Sequence, residues 1–146
     1  MNINCLEFSG EGMKRVYENE KWTVGIKNYK PANDIANIDC IERHNQTDEL
    51  FVLLEGNCVL VYVNKENDTL KFDAIKMEKN RVYNIPQSLW HNTITQPNTK
   101  MALIEDSSTG MNNSDVLNLS LAQIEDLKVA VKKGLKHLDC HKSNCV

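Results

Sequence analysis

Residues 42–56 read ERHNQTDELFVLLEG, and this stretch is the most informative one about the fold. It sets two acids and a histidine, Glu42, His44 and Glu49, in front of the apolar run Leu50 to Leu54. Glu42 and His44 are two residues apart, so on a strand their side chains point to the same face. Burying the Glu49 carboxylate is costly unless a histidine or a metal accompanies it. The stretch therefore predicts two strands that present a polar site to a buried space.

A second informative stretch, residues 80–91, reads NRVYNIPQSLWH and brings His91 from a distant strand after a turn at Pro86. If the fold joins the two stretches, two imidazoles and one or two carboxylates converge. Such a set binds a divalent metal of the Mn, Fe, Ni or Zn type. It also serves as an acid–base pair without any metal. The residues by themselves leave both alternatives open.

Short β-type runs surround these two stretches. Residues 22–29 alternate apolar and polar positions, as a half-buried strand does, and residues 55–57 predict a tight turn. The other runs lie at 38–44, 50–54, 58–63, 70–77, 81–85, 91–95 and 100–105. Many short strands separated by turn residues predict an antiparallel sandwich or barrel. No alternation of strands with helices is visible, which argues against a parallel sheet.

The chain changes character after residue 106. Residues 107–113 form a polar connection, and Ser120 to Gln123 have the form of a helix capping box. Apolar residues then recur at helical spacing, at Leu121, Ile124, Leu127, Val131, Leu135 and Leu138. This pattern predicts one amphipathic helix over 121–138 that packs on the barrel or on a second subunit. Gly134 is expected to weaken its last turn.

The length of 146 residues suits one domain. Within it we expect an irregular arm or outer strand over 1–20, the barrel over 21–110, and the helix with a polar tail over 111–146. His137, Cys140, His141 and Cys145 lie in that tail at spacings that would suit zinc. No second half of a zinc motif accompanies them, so a flexible end with free thiols is the favoured interpretation.

Composition and charge limit the classes of partner that the protein is expected to bind. The net charge of −3 gives little electrostatic support for nucleic-acid binding. The longest apolar runs are too short to span a bilayer, and the first residues lack a basic start followed by an apolar core. We therefore expect a cytoplasmic protein that binds neither nucleic acid nor membrane. Its five cysteines are odd in number and form no CxxC pair, which favours free thiols.

The two stretches resemble the two motifs of the cupin superfamily. Residues 44–56 fit the second half of G-x5-H-x-H-x(3,4)-E-x6-G at every required position, and residues 86–91 fit the centre of G-x5-P-x-G-x2-H-x3-N with Ser for Gly. The matching residues are His44, Glu49, Gly56, Pro86, Ser88 and His91. The resemblance covers residues 38–105. It implies a mainly β fold, an antiparallel cupin β-barrel or jelly roll, here followed by a C-terminal helix.

Three positions depart from the cupin pattern. Glu42 stands where the family has its first metal histidine, Asn80 replaces a glycine, and Thr95 replaces the final asparagine. The resemblance therefore implies His44, Glu49 and His91 as metal ligands, with Glu42 as a fourth oxygen ligand or a general base.

A looser resemblance is to ureidoglycolate lyase, a cupin-type enzyme. It rests on the triplet at residues 42–44 and on the pair Trp90-His91. It implies a small carboxylate-bearing metabolite held partly by Arg43 or His44. The sequence is also similar to small cupins that read E-R-H-x-x-T-D-E-x-F-V-L-L-E-G.

These observations support two hypotheses. In the first, the chain is an enzyme for a small polar metabolite, carboxylate-bearing or sugar-like, with lyase, isomerase or oxygenase chemistry at Glu42, His44 and His91. In the second, the same barrel is a non-catalytic binding module for such a ligand. A homodimer is expected in both cases, because cupins commonly pair and exposed strand edges need cover. Trp90 would line the pocket mouth or belong to the core, and the aromatics Phe51, Tyr62 and Tyr83 would fill the barrel.

Overall fold

The computed structural model describes residues 1–66 and 69–142, with side chains at 1–64 and 69–135. Within these ranges the chain forms ten strands and one long helix. The strands are β1 Met13–Glu18, β2 Trp22–Asn28, β3 Cys40–His44, β4 Glu49–Glu55, β5 Cys58–Glu66, β6 Thr69–Lys76, β7 Val82–Ile85, β8 His91–Thr95, β9 Lys100–Asp106 and β10 Ser114–Asn118. Helix α1 spans Leu121–Lys142, and single 3-10 turns lie at Pro31–Asn33 and Met111–Asn113.

The strands build two five-stranded sheets that enclose a common interior. The first has the order β1-β2-β9-β4-β7, and the second has the order β10-β3-β8-β5-β6. The strand pairs are antiparallel. The predicted fold, an antiparallel β-barrel or jelly roll with a C-terminal helix, is confirmed.

The strands extend past both ends of the predicted barrel range, 21–110. β1 pairs with β2 at one edge of the first sheet, and β10 pairs with β3 at one edge of the second. Both edge strands keep apolar side chains in solvent, such as Met13 at 45% and Val116 at 51% exposure. Because an edge strand is covered incompletely, its sequence lacks the apolar run that marks a central strand.

The turn after β4 explains the glycine of the first motif. Gly56 has φ +71°, a left-handed conformation that side chains rarely adopt. A Cβ atom there would also overlap the backbone oxygen of Asn98. Glycine therefore lets this turn approach the backbone of the Asn98 loop.

Two apolar clusters hold the fold together. The first fills the barrel between the sheets and contains Phe51, Leu53, Cys58, Leu60, Met77, Ile85, Met101 and Leu103, with Tyr83 packed against it. The second, which we call the helix-covered core, lies on the outer face of the second sheet under α1. It contains Ile38, Ile41, Val59, Val61, Val63, Ile94, Leu127 and Val131.

The helix begins with the predicted capping box. The Ser120 Oγ accepts a hydrogen bond from the Gln123 amide at 3.2 Å, and the Gln123 Oε1 accepts one from the Ser120 amide at 2.9 Å. The helix continues to Lys142, four residues past the predicted end at Leu138.

Gly134 has a packing role that the sequence did not indicate. A Cβ atom there would lie 2.8 Å from the Ala74 carbonyl oxygen, so glycine lets the helix approach β6. The prediction that it merely weakens the last turn missed this contact.

The predictions about the cysteines and the C-terminal tail can be compared with the structure only within the described residues. Cys5, Cys40 and Cys58 are free, as expected. The side chains of the tail cluster His137, Cys140, His141 and Cys145 lie outside the described residues. Among the helices of the described ranges, α1 included, none combines the length and apolarity that crossing a membrane requires.

Candidate active site

Four strands deliver the polar site to the barrel interior. Glu42 on β3 is the register partner of His91 on β8, so their side chains leave adjacent positions of the second sheet. Glu49 on β4 is the register partner of Glu105 on β9 in the facing sheet. His44 projects to the same side as Glu42, because the two are two residues apart on β3. Groups that are far apart along the chain therefore share one buried space.

Glu49 lies at the centre of the site. Its Oε2 is 3.2 Å from the Nε2 of His44 and 3.2 Å from the Nε2 of His91. The two imidazole rings meet edge to face, with centroids 5.7 Å apart. Glu49 and His91 are only 3% and 1% exposed. Burial at this level requires the carboxylate and the imidazoles to satisfy one another or a shared ligand.

The outer nitrogen of each imidazole is fixed by a hydrogen bond. The Nδ1 of His91 lies 2.9 Å from the Leu89 carbonyl oxygen, and a carbonyl only accepts, so Nδ1 carries the proton. The Nδ1 of His44 lies 2.8 Å from the Ser114 hydroxyl. In neutral His91 the Nε2 lone pair therefore faces the Glu49 carboxylate. Two acceptors 3.2 Å apart call for a proton or a metal cation between them.

The donor atoms cluster as metal ligands do. One donor atom each from Glu42, His44 and His91 lies within 4.8 Å of the others, and the same holds for His44, Glu49 and Glu105. The outer hydrogen bonds of both imidazoles supply the support that metal-bound histidines usually have. Nitrogen and carboxylate donors of this kind suit Mn, Fe, Ni or Zn. The residues present therefore fit a divalent metal.

Burial and charge set the protonation of the two facing acids. Burial by itself would raise the pKa of Glu49, but hydrogen bonds from His44, His91 and Glu105 hold it well below its usual range. Burial and the neighbouring Glu49 raise the pKa of Glu105 to about 7, against the opposing effect of Arg15. The hydrogen bond to Glu49 raises the pKa of His44. Without a metal, the site thus holds an ionised Glu49 beside a Glu105 that titrates near neutral pH.

The sequence did not indicate Glu105, Arg15 or Lys27. The guanidinium of Arg15 contacts Glu105 Oε2 at 3.2 Å and donates to the Thr109 carbonyl at 2.6 Å. The amine of Lys27 donates to the Thr93 hydroxyl at 2.8 Å. All three line a cavity of about 270 Å³ together with Glu42, His44 and Glu49, and its wall also includes Lys30, Leu103, Met111 and Ser114.

The inverted phase of β2 explains why the sequence did not indicate Lys27. The alternation in residues 22–29 was expected to bury the apolar set, but the polar set faces the barrel. Thr23 and Gly25 are buried, whereas Trp22 is 44% exposed. The phase is inverted because this part of the interior is the polar pocket, so the apolar side chains of β2 point outward.

The structure does not bring Arg43 to the pocket. Its guanidinium pairs with Asp115 at 2.8 Å and lies 4.6 Å from the centre of the Trp90 ring. Arg43 points away from the interior because its strand neighbours Glu42 and His44 point into it. Trp90 packs against the helix-covered core. Of the two residues expected to hold a substrate carboxylate, Arg43 and His44, only His44 lines the pocket, and Trp90 is a core residue.

Several proteins of known structure have a similar architecture. No protein-family model matches the sequence, and no curated protein does. The structure is similar to that of Streptomyces Pac13 with uridine, at 11% identity, with 84% of this chain and 98% of that chain covered and a TM-score of 0.56. It is also similar to CapF, at 13% identity, 79% and 34% coverage and a TM-score of 0.55. These are cupin-fold proteins. This chain has the cupin fold.

A further cupin of similar structure is Lactobacillus farciminis oxalate decarboxylase in a formate complex. It shares 13% identity, with 80% of this chain and 37% of that chain covered and a TM-score of 0.52. The chain spans about a third of that enzyme and of CapF. Identities this low show the cupin fold alone. Within that fold, His44, Glu49 and His91 occupy the barrel interior, and Glu42 stands beside them where the cupin motif has a histidine.

Proposed function

We propose that this cupin is a metal-dependent enzyme for a small polar metabolite. His44, Glu49 and His91 would hold a divalent metal, with Glu42 as the fourth ligand. The observation that carries the proposal is the pair of Nε2 atoms, each 3.2 Å from one carboxylate oxygen of Glu49. The His91 Nδ1–Leu89 hydrogen bond leaves that Nε2 available as a ligand.

The protein residues have distinct roles in this proposal. A bound divalent metal supplies Lewis acidity toward a carbonyl or carboxylate oxygen. The carboxyl group of Glu105 lies beside the four proposed ligands, with its Oε1 4.0 Å from the His44 Nε2. It is placed to take or give a proton, while Arg15 orients its other oxygen. Proton transfer favours lyase or isomerase chemistry over oxygenase chemistry.

Metal analysis tests the proposal directly. The purified protein, reconstituted in turn with Mn, Fe, Ni and Zn, is expected to retain about one equivalent of one of them. His91→Ala should lose it. The double variant His137→Ala/His141→Ala is the matched control, and it should keep the metal. Retention of metal by His91→Ala together with loss in the tail variant would place the metal elsewhere and reject the proposal.

The first substrate to assay is ureidoglycolate, because of the residues shared with that lyase family. Of these, Glu42, His44 and His91 line the interior, whereas Arg43 and Trp90 contact each other outside it. Turnover would release glyoxylate, which a coupled assay detects. Without glyoxylate release by the metal-loaded protein, the lyase assignment fails while the metal proposal stands.

A metal-free acid–base enzyme is the second candidate. The carboxyl pair Glu49 and Glu105 favours it, since Glu105 has a pKa of about 7 and hydrogen-bonds to an ionised partner. Pac13, the cupin-fold protein of similar structure, is described as a nucleoside dehydratase. Turnover that survives chelation and is lost in Glu105→Gln would support this candidate. Ligand binding without metal or turnover would support the non-catalytic module.

The homodimer remains a proposal, and exposed apolar side chains support it. In the N-terminal arm, Ile3 is 101% and Leu6 47% exposed. At the β1–β2 edge, the Tyr17 and Trp22 rings, 5.0 Å apart, are 40% and 44% exposed. Sedimentation of the full chain is expected to give twice the chain mass. The variant Ile3→Asp/Leu6→Asp should shift it toward the monomer, and a monomeric wild-type chain would reject the dimer.

A further inference from the structure

Lys27 is a cation inside the barrel pocket that the metal site does not use. It lies on β2, in phase with the buried residues Thr23 and Gly25, so its side chain enters the interior. Its amine donates to the hydroxyl of Thr93, a residue only 1% exposed. Burial lowers the pKa of Lys27, while the nearby Glu42 carboxylate raises it. A partly buried amine of this kind gains from any anion that enters the pocket.

Apart from Lys30 on the rim, the charged residues that line the pocket beside Lys27 can be grouped into sets without net negative charge. Arg15 pairs with Glu105 at 3.2 Å, and this pair carries no net negative charge whether Glu105 is ionised or protonated. A divalent metal would balance the two carboxylates Glu42 and Glu49. Lys27 then remains: among the described residues its hydrogen-bond partner is a neutral hydroxyl, and no carboxylate lies within salt-bridge distance of it. With a metal bound, the described pocket residues would leave no unbalanced negative charge for Lys27.

A second cation, Lys30, and the size of the cavity also favour a small anionic ligand. Lys30 lies on the rim of this cavity, exposed and without a carboxylate partner in the described part of the chain. Its charge draws anions toward the pocket mouth. The cavity of about 270 Å³ corresponds to roughly nine water molecules. That is room for a small organic acid.

We propose that Lys27 binds the carboxylate of the substrate, and that the substrate is a small monocarboxylic acid. This inference rests on the proposed function of the site and narrows it, since a neutral sugar-like ligand would leave Lys27 unpaired. Lys27 holds the carboxylate on one side of the pocket. The rest of the molecule then faces His44, His91 and Glu105.

A matched pair of small probes tests the charge requirement. Glycolate and its neutral amide, glycolamide, have similar size, and their binding to the full chain is measured by calorimetric titration at pH 7. The wild-type protein is expected to bind glycolate about 10- to 100-fold more tightly, because a hydrogen bond to a charged partner is involved. Lys27→Met should remove that difference, and Lys27→Arg should restore part of it. Lys76→Met, on β6 outside this pocket, is the control and should behave as wild type.

Titrations with and without Mn²⁺ separate this inference from the proposed function. If none of Mn²⁺, Fe²⁺, Ni²⁺ and Zn²⁺ binds but glycolate binding still depends on Lys27, the metal proposal falls and the role of Lys27 stands. Mn²⁺ affinity should be unchanged or higher in Lys27→Met, which also reports that the variant is folded. Equal glycolate affinity in wild type and Lys27→Met overturns the inference. So does a wild-type protein that binds no glycolate up to about 10 mM.

Discussion

Both faces of the second sheet contain buried residues, but the polar site on the inner face and the helix-covered core on the outer face differ in chemistry. On the inner face, His91 is 1% exposed and each of its ring nitrogens has a polar neighbour. On the outer face, the helix-covered core contains Leu127, which is 0% exposed and contacts apolar side chains. Strand β8 serves both faces, since Ile94 joins the outer core while its neighbour Thr93 binds Lys27 inside.

This comparison shows that the fold and the site depend on different interactions. The helix-covered core stabilises the barrel by the apolar area that it removes from water. The polar site on the inner face is held by directed contacts among imidazoles and carboxylates, which cost stability if one partner is missing. Substitutions on the two faces should therefore separate loss of stability from loss of ligand binding.

The largest effect on stability is expected from Leu127→Ala. Removing a fully buried leucine side chain leaves a cavity between the helix and the sheet, which costs about 3 kcal/mol of unfolding free energy. Urea denaturation measures it, and Val129→Ala, on the same helix at 48% exposure, is the control with a change below about 0.5 kcal/mol. Metal content should be unchanged in both variants. A loss of metal in Leu127→Ala without loss of stability would break the separation of the two faces.

The largest effect on the inner face is expected from Glu49→Gln. The amide has nearly the same shape, but it removes the charge that both imidazoles share. Metal affinity should fall at least about 100-fold, since groups that only support ligands already change affinity 10- to 100-fold. Competition with a chelator measures this. Unaltered affinity would mean that Glu49 is not a ligand and that Glu42, His44 and His91 hold the metal without it.

The pH dependence of the metal-free protein probes the carboxyl pair. Glu105 has a folded pKa of about 7, above its ordinary 4.5. Its contribution to stability is therefore complete below pH 4.5 and is lost as the pH rises through 7, by an amount on the order of 2 kcal/mol. His44, whose pKa is also raised, acts in the same direction above pH 6.5. Denaturation curves should show that Glu105→Gln flattens this decline, and a decline of the same size would contradict the protonated state of Glu105.

The smallest effect is expected from Arg43→Ala on the outer side of β3. Its ion pair with Asp115 is partly exposed, so the loss should stay below about 1 kcal/mol. Metal affinity and glycolate binding should not change, because the guanidinium does not reach the pocket. If Arg43→Ala reduced glycolate binding as much as Lys27→Met does, Arg43 would have a role inside the pocket. The separation between the two faces of the sheet would then be contradicted.

The central strands and the motif residues were predictable because their signals are local. The apolar runs at β4 and β5, the capping box of α1 and the turn at Gly56 each depend on residues close in sequence. The edge strands β1 and β10 were harder, since incomplete burial removes the apolar pattern. The phase of β2 was misleading for a physical reason: polar residues face inward where the interior is a polar pocket.

The sequence by itself determined the kind of fold and the groups His44, Glu49 and His91, because strand periodicity and motif spacing are properties of neighbouring residues. Only the tertiary structure decided which groups join them. Arg15, Lys27 and Glu105 come from three strands of the facing sheet, and their approach depends on strand pairing across more than half the chain. The same structure removed Arg43 from the site, since adjacent residues of a strand face opposite sides. The packing of the two sheets against each other therefore determines which charged residues line the pocket.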